Sequence, residues 1–578
     1  MIAARAYNAD MHIDVIPNRK SRPAYLLRET FREGNKVRKR TVANLSALTD
    51  EQIHALRAIL KGEQLYPVET LFNVIGSRAH GHVEAVRTAM TKLRMGPMLD
   101  TTPSRERDLV LAMLAARILS PRTKLATTRW WHTTTLAEDF GVTDATETDL
   151  YAAMDWLLER QGTIQKTLAA RHLGTDSLVL YDLSSSYFEG TTCPLARLGY
   201  SRDGKRGLLQ VNYGLLTDRR GCPVAVSVYE GNIADPQTLM PEITRLKQDF
   251  GIGQLVMIGD RGMISQKAID TLSHEAGIDW ITALRSTSIR ALVSEGHVQL
   301  DLFDQRNLFE LAHPDYPGER LVACRNPALA ELRAHKRESL LQATETQLTK
   351  IHAAAAKGRL KGQDTIGVRV GKVINQYKMA KHFSLDISND AFDFHRKTDD
   401  ILAEARLDGL YIIRTSVQAD TMDAAECVRQ YKSLAQVERA FRTLKSVDLR
   451  IRPIHHRLAD RVRAHILLCV LAYYIEWHMR EAWRELMFAD EDQAAKAARD
   501  PVAPAKRSEA ARIKAQSGIL ADGTVAHSFS TLLAELSAIV RNTCRAALPG
   551  ESTSTFEVMT SANTQQQRAL DLLQKITL

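Results

Sequence analysis

Cysteine is scarce and poorly spaced for metal work. The six in 578 residues (Cys193, Cys222, Cys324, Cys427, Cys469 and Cys544) include no C-x-x-C pair. That argues against structural zinc and against a disulfide framework, and it fits a reducing compartment. Long apolar runs are missing too. The longest, Ile466–Ile475, is too short to cross a bilayer and reads as a buried helix. The amino-terminal residues lack the apolar stretch of a secretion signal, so the expected compartment is the cytoplasm, with no membrane partner. No G-x-x-x-x-G-K-[ST] occurs, which removes P-loop phosphate chemistry. His455 and His456 have no companions at zinc-ligand spacing. There is no internal repeat.

What is present is an ordinary globular composition, 44% apolar and 25% charged, in a chain too long for one core. The net charge of +9 is a modest basic excess, and alone it does not decide for an acidic partner. Its distribution is more telling. Residues 1–50 carry ten Lys/Arg, Arg5 and Lys20 among them, against five acids. Residues 439–463 carry eight against only Asp448 and Asp460. A phosphate backbone lying beside bound metal requires such a basic border.

The pattern divides the chain into six stretches. Residues 1–50 alternate polar and apolar in short runs, a small basic β-rich unit. Residues 51–172 have helical rhythm, and their expected role is DNA binding or plain structural support. Residues 173–290 hold the strand-like runs SLVLYDLSSSYFEG, GLLQVNYGLLTD and CPVAVSVYEGN, with DRRGCP as a turn between the last two. A helix, the buried strand QLVMIGDRG, another helix and the strand DWITALRS follow. That order predicts a mixed α/β sheet, antiparallel first and then wound with crossovers. Residues 291–405 interrupt it as an inserted subdomain of mixed strands and one long helix. Residues 406–480 resume the core, and residues 481–578 form a helical C-terminal region.

Within 406–480, Val428, Tyr431, Leu434, Val437, Phe441 and Leu444 recur at helical steps. On a continuous helix Glu438 projects from the side of Tyr431, Phe441 and Lys445. A carboxylate on an apolar stripe must be paired or metal-bound. Asp182 and Asp260 each end a strongly apolar run, and strand ends at one sheet edge are where α/β folds place ligands. Three converging carboxylates repel unless a cation neutralises them, and oxygen-only ligation suits Mg²⁺ or Mn²⁺. Two such ions about 4 Å apart can activate a hydroxyl and stabilise a leaving oxygen of a phosphodiester. Read singly, each aspartate at a strand end is more often a turn or helix cap, and Glu438 and Lys445 are equally well explained as solvated side chains, so the combination carries the inference.

The motifs YDLSSS at 181–186, GDRGM at 259–263 and YKSLAQVERAFRTLK at 431–445 resemble the DDE transposases of bacterial insertion sequences. The likeness is to the IS-four superfamily, in the subgroup with a long N-terminal region and a large insertion. Its signature Y-x2-R-x3-E-x6-K is met at Tyr431, Glu438 and Lys445, while Leu434 replaces the arginine. GYSRDG at 199–204, LRIRPIHHR at 449–457 and RAHI at 463–466 extend the similarity. The resemblance implies a ribonuclease-H-like mixed-sheet core with an inserted subdomain and flanking helical regions. It implies catalysis by Asp182, Asp260 and Glu438, which would together hold two Mg²⁺ or Mn²⁺ ions. Tyr431 and Lys445 are expected at terminal nucleotides. Our own additions are phosphate contacts by Arg439, Arg442, Arg450 and Arg452, whose plain alternative is a solvated surface. Double-stranded DNA, as transposon ends and target, and a homodimer in a synaptic complex complete the expectation. Two alternatives stay open from the residues. One is a haloacid-dehalogenase-like phosphatase with Asp182 as nucleophile, although Ser184 stands where D-x-D needs an acid. The other is an inactive or domesticated DNA-binding relative.

Overall fold

The computed structural model describes residues 11–578, except Lys20, 64–71, 175–176, 301–302, 304–305, Glu491, 495–498, 504–505 and 548–553. Arg5 and Lys20 of the N-terminal basic cluster thus lie outside the described residues. The chain forms two compact units, one of Met1–Arg78 with Val540–Thr560, the other of Ala79–Ile539 with Ser561–Leu578.

In the first unit, strands Met11–Ile16, Ala24–Glu33 and Lys36–Asn44 pair as an antiparallel meander. Gly34 turns the second hairpin at φ 63°, a left-handed conformation that glycine adopts without a Cβ penalty. The last strand is almost wholly exposed and carries Lys36, Arg38, Lys39 and Arg40. Helix Asp50–Leu60 follows, begun by a reciprocal capping box between Thr49 and Gln52. Strand Phe72–Ala79, inside the stretch expected to be helical, joins Val540–Ala546 and Thr555–Met559 in a second sheet. The C-terminal region is therefore not purely helical.

The second unit is built on an eight-stranded sheet. Its strands are β1 (Ser177–Tyr187), β2 (Gln210–Asp218), β3 (Pro223–Glu230), β4 (Leu255–Ile258), β5 (Ile278–Ala283), β6 (Leu308–Leu311), β7 (Arg320–Arg325) and β8 (Leu410–Thr415). Their order is β6-β7-β8-β5-β4-β1-β2-β3. β1, β2 and β3 are antiparallel neighbours, whereas β1, β4 and β5 run parallel through helical crossovers. This is the mixed, ribonuclease-H-like α/β core. Strands covered on both faces read as continuous apolar runs, as Leu255–Ile258 does, and β2 is buried at every residue although it includes Gln210, Asn212, Thr217 and Asp218.

The inserted stretch contributes in two ways. β6 and β7 extend the core sheet beyond β8, antiparallel throughout. Helices Pro327–Ala356 and Gln363–Tyr377 and the hairpin Phe383–Ile387/Phe392–Arg396 instead pack on a cluster of their own, centred on Leu341, Leu348, Ile366 and Phe383. Arg396, bonded to both Glu338 and Glu345, ties the hairpin to the long helix.

Helix Ala459–Ala482, which contains Ile466–Ile475, runs through the middle of the unit. It packs against helices Arg105–Leu119 and Glu147–Glu159 and against β3. Seventeen of its residues are buried, which explains the apolar run without a membrane. Among the described residues no helix is long and apolar enough to cross one.

Candidate active site

The parallel register of β1 and β4 does most to assemble the site. Leu180 pairs with Ile258, the last residue of β4, so Asp182, two residues further along β1, and Asp260, two residues past the end of β4, lie at the same end of neighbouring parallel strands. Asp182 is half-buried and its carboxylate accepts the Leu183 N–H at 2.8 Å. Asp260 is exposed, and one of its oxygens accepts from Gly262 N at 2.9 Å and Met263 N at 2.7 Å. Those bonds fold GDRGM into a tight turn beyond the strand. β1 is held flat against β2 by a close approach: a Cβ at Gly214 would lie 2.2 Å from the Tyr181 hydroxyl.

The charge of Asp182 is poorly compensated. Burial first, and then the Asp260 carboxylate, push its pKa up to about 7. The cation that opposes this rise, Arg202, is already ion-paired with Asp235. An all-carboxylate donor set short of positive charge is what a hard divalent cation fits.

Glu438 lies on helix Leu434–Arg442, which packs over β1. Phe441 meets Tyr213 of β2 edge-on at 5.8 Å, and the turn before β3 comes so close that a Cβ at Gly221 would sit 2.7 Å from Gln436 Cβ. Two features correct the expectation of one continuous helix. It breaks at Ser433, whose hydroxyl bonds Gln430 O at 2.5 Å, and it widens into a π-turn at Thr443–Val447. The buried stripe is Val437, Ala440, Phe441 and Leu444, and Glu438 is exposed beside it. Val437 is inward, as its place in the apolar stripe leads one to expect, whereas Glu438 lies outside the buried face.

Tyr431, half-buried, links the acids. Burial raises its phenol to about 12, helped by the charges of Asp260 and Glu438, so both carboxylates lie within electrostatic reach of it. Asp182 is thus coupled to Asp260, and Tyr431 to both Asp260 and Glu438. The oxygens of the three acids are nevertheless not among the sets of donors that lie within 4.8 Å of one another in the described residues.

The basic residues separate into two groups. Arg439, Arg442 and Arg450 are exposed, without an ion-pair partner among the described residues. Lys445 and Arg452 instead converge on Asp203, Lys445 at 3.0 Å. Asp203 is sealed from solvent with a side chain 1% exposed, and it also accepts the Tyr187 N–H at 3.1 Å. Burial pulls the Lys445 ammonium below its usual pKa, against the pull of Asp203. Asp203, Arg202 and Asp235 have no role in the sequence reading. The only signal is the GYSRDG motif around the first two, which gives no hint that Asp203 reaches a lysine 242 residues away.

Comparison with known proteins bears on this geometry. Residues 176–475 match the family model described as Transposase DDE domain. Residues 13–67 match the one described as IS1634 family transposase, N-terminal domain. No curated protein matches the chain. Among solved structures, a cryo-EM piggyBac transposase synaptic complex with hairpin DNA is similar over 79% of this chain and 76% of that chain. The identity there is 8% and the TM-score 0.33.

Proposed function

This chain belongs to the DDE transposases of insertion sequences, metal-dependent enzymes that cut and join DNA, and we propose that Asp182, Asp260 and Glu438 are its catalytic acids. The observation that carries the assignment is the parallel pairing of β1 with β4, which brings Asp182 on β1 and Asp260 just past β4 to one end of the sheet, where the Asp260 carboxylate raises the pKa of Asp182. The three carboxylates would hold Mg²⁺ or Mn²⁺, two ions in our reading. The metal supplies Lewis acidity, lowering the pKa of an attacking water or hydroxyl and offsetting charge on the leaving oxygen.

The protein's own groups then do the positioning. Asp260 uses one carboxylate oxygen for two backbone N–H bonds, which leaves the other for a cation. Asp182 between strands is rigid, whereas Glu438 is brought in by a packed helix. Tyr431 stays protonated at neutral pH and can donate to, or stack near, the terminal nucleotides. Arg439, Arg442 and Arg450 supply phosphate contacts along the rim. Lys445 and Arg452 reach DNA in this reading only by exchanging Asp203 for a phosphate.

The sequence of events is hydrolysis at a transposon end, releasing a 3′-hydroxyl, followed by attack of that hydroxyl on target DNA. Recognition of the inverted-repeat ends falls to residues 1–172. Pairing two ends calls for a homodimer in a synaptic complex, acting on chromosomal or plasmid DNA in the cytoplasm. The phosphatase alternative is not favoured, because the family match spans the acids. An inactive relative is not favoured either, because all three acids are present. Inverted repeats found by sequencing the DNA flanking the gene provide the substrate. On that DNA, Asp182→Asn should bind the end and fail to nick it with Mg²⁺. Nicking by the variant at the wild-type rate would overturn the assignment.

A further inference from the structure

We propose that His172, Cys222 and His478 form a zinc site, separate from the carboxylates, that staples the helical layers to the catalytic sheet. The residues come from three segments. His172 ends helix Gln161–His172, Cys222 lies in the turn between β2 and β3, and His478 is on the buried helix Ala459–Ala482. Their ligand atoms all lie within 4.8 Å of one another. The Cys222 Sγ is 4.0 Å from His172 Nε2 and 3.9 Å from His478 Nε2. In a tetrahedral zinc site, bonds of about 2.3 Å to sulfur and 2.0 Å to nitrogen put sulfur and nitrogen roughly 3.5 Å apart. The two sulfur–nitrogen edges therefore have to close by only about half an ångström.

Donor chemistry selects the ion. One thiolate and two imidazoles suit zinc and disfavour Mg²⁺, the reverse of the acidic cluster. Cys222 is fully buried and His478 nearly so, while His172 is half-buried and leaves the fourth position open to solvent. Binding releases the Cys222 proton to solvent and leaves a sulfur–metal bond. His172 Nε2, 3.0 Å from the Tyr474 hydroxyl, exchanges that bond for the metal. A water completes the fourth position. The backbone is already set, since Asp218 Oδ1 accepts from Arg220 N at 2.8 Å and Cys222 N at 2.9 Å. Gly221, beside Cys222, abuts Gln436 on the helix that carries Glu438. The staple thus fixes the turn against that helix. The spacing that argues against zinc in the sequence cannot see this site, because its donors lie 50 and 256 residues apart.

The test uses the full-length chain, stripped with chelator and titrated with Co²⁺ as a spectroscopic stand-in for zinc. One equivalent should give intense tetrahedral visible bands and a near-ultraviolet sulfur-to-cobalt band, both displaced by one equivalent of Zn²⁺. The sulfur band should vanish in Cys222→Ser and persist in Asp182→Asn. If Cys222→Ser does not fold, His172→Gln, at a half-buried position, should lose the tetrahedral bands. Cobalt held by Glu295, His297 and His313, a second set within 4.8 Å, gives no sulfur band. Absence of the sulfur band in the wild type, or its survival in Cys222→Ser, would overturn the proposal.

Discussion

Replacing Asp182 with asparagine should stabilise the metal-free protein while abolishing catalysis. The folded-state pKa of Asp182 is raised to about 7 from an ordinary 3.8, by burial and by Asp260. Between those two values the folded protein holds a proton that the unfolded chain has lost, so stability falls as pH rises through that window. Above it the full penalty applies. Three pKa units correspond to at most about 4 kcal/mol, and access of water to a half-buried side chain brings the expectation to roughly 2 kcal/mol. The asparagine would keep an oxygen able to accept the Leu183 N–H and would remove the charge. With an unfolding entropy of about 2 cal/mol/K per residue, a unit of several hundred residues then gains about 2 °C in Tm. The assay is differential scanning fluorimetry in chelator from pH 5 to pH 8.5. The gap between variant and wild type should open with pH, and millimolar Mg²⁺ should raise the wild-type Tm and leave the variant's unmoved. A variant no more stable than wild type at pH 8.5 in chelator would refute the electrostatic reasoning. An equal response to Mg²⁺ would refute the ligand assignment.

Glu438→Gln acts at an exposed position, so its stability should match the wild type to within about 0.5 kcal/mol, while Mg²⁺-dependent nicking of the transposon end disappears. Alanine at Arg439, Arg442 and Arg450 together should weaken DNA binding without regard to sequence. Each lost phosphate contact should flatten the slope of log K against log salt by about 0.9, measurable by fluorescence anisotropy between low and moderate salt. Asp203→Asn strips the counter-charge from the buried Lys445 and the half-buried Arg452, at a cost on the order of 3 kcal/mol. Its urea midpoint should fall accordingly, and an unchanged midpoint would show that the clamp is not structural.

The parts of this architecture that can be read in sequence are those set by local chemistry. LVLYD and QLVMIGD announce buried strands because parallel neighbours and covering helices leave no polar face to alternate. DRRGCP announces a turn because Asp218 can fold its carboxylate back onto two later N–H groups, and it does. What escapes reading depends on partners far along the chain. Strand Phe72–Ala79 sits in a helical stretch and is stabilised by strands beyond residue 539. The helix before Glu438 is interrupted at Ser433, whose hydroxyl bonds back to Gln430, a competition no periodicity reports. For Lys445, the same spacing fits a DNA contact and a buried partner of Asp203 equally well.

The long excursion between Asp260 and Glu438 shows how distant acids can still be positioned. A closed loop costs only about (3/2)RT ln n, so doubling its length adds roughly 0.6 kcal/mol, provided its ends are held together. Here the sheet holds them. The chain leaves the core at β5 and returns on β8, and these strands pair antiparallel with Ala283 opposite Ile413. β5 is in turn hydrogen-bonded in parallel to β4, which precedes Asp260. The helix carrying Glu438 is therefore anchored by a strand one removed from the strand that leads to Asp260. The intervening residues are free to build their own cluster around Leu341 and Phe383 without moving the site. β6 and β7 add to that rigidity, since they cover the edge that β8 would otherwise expose. The insertion can therefore vary in length at little cost, while the pairing of β5 with β8 fixes its ends.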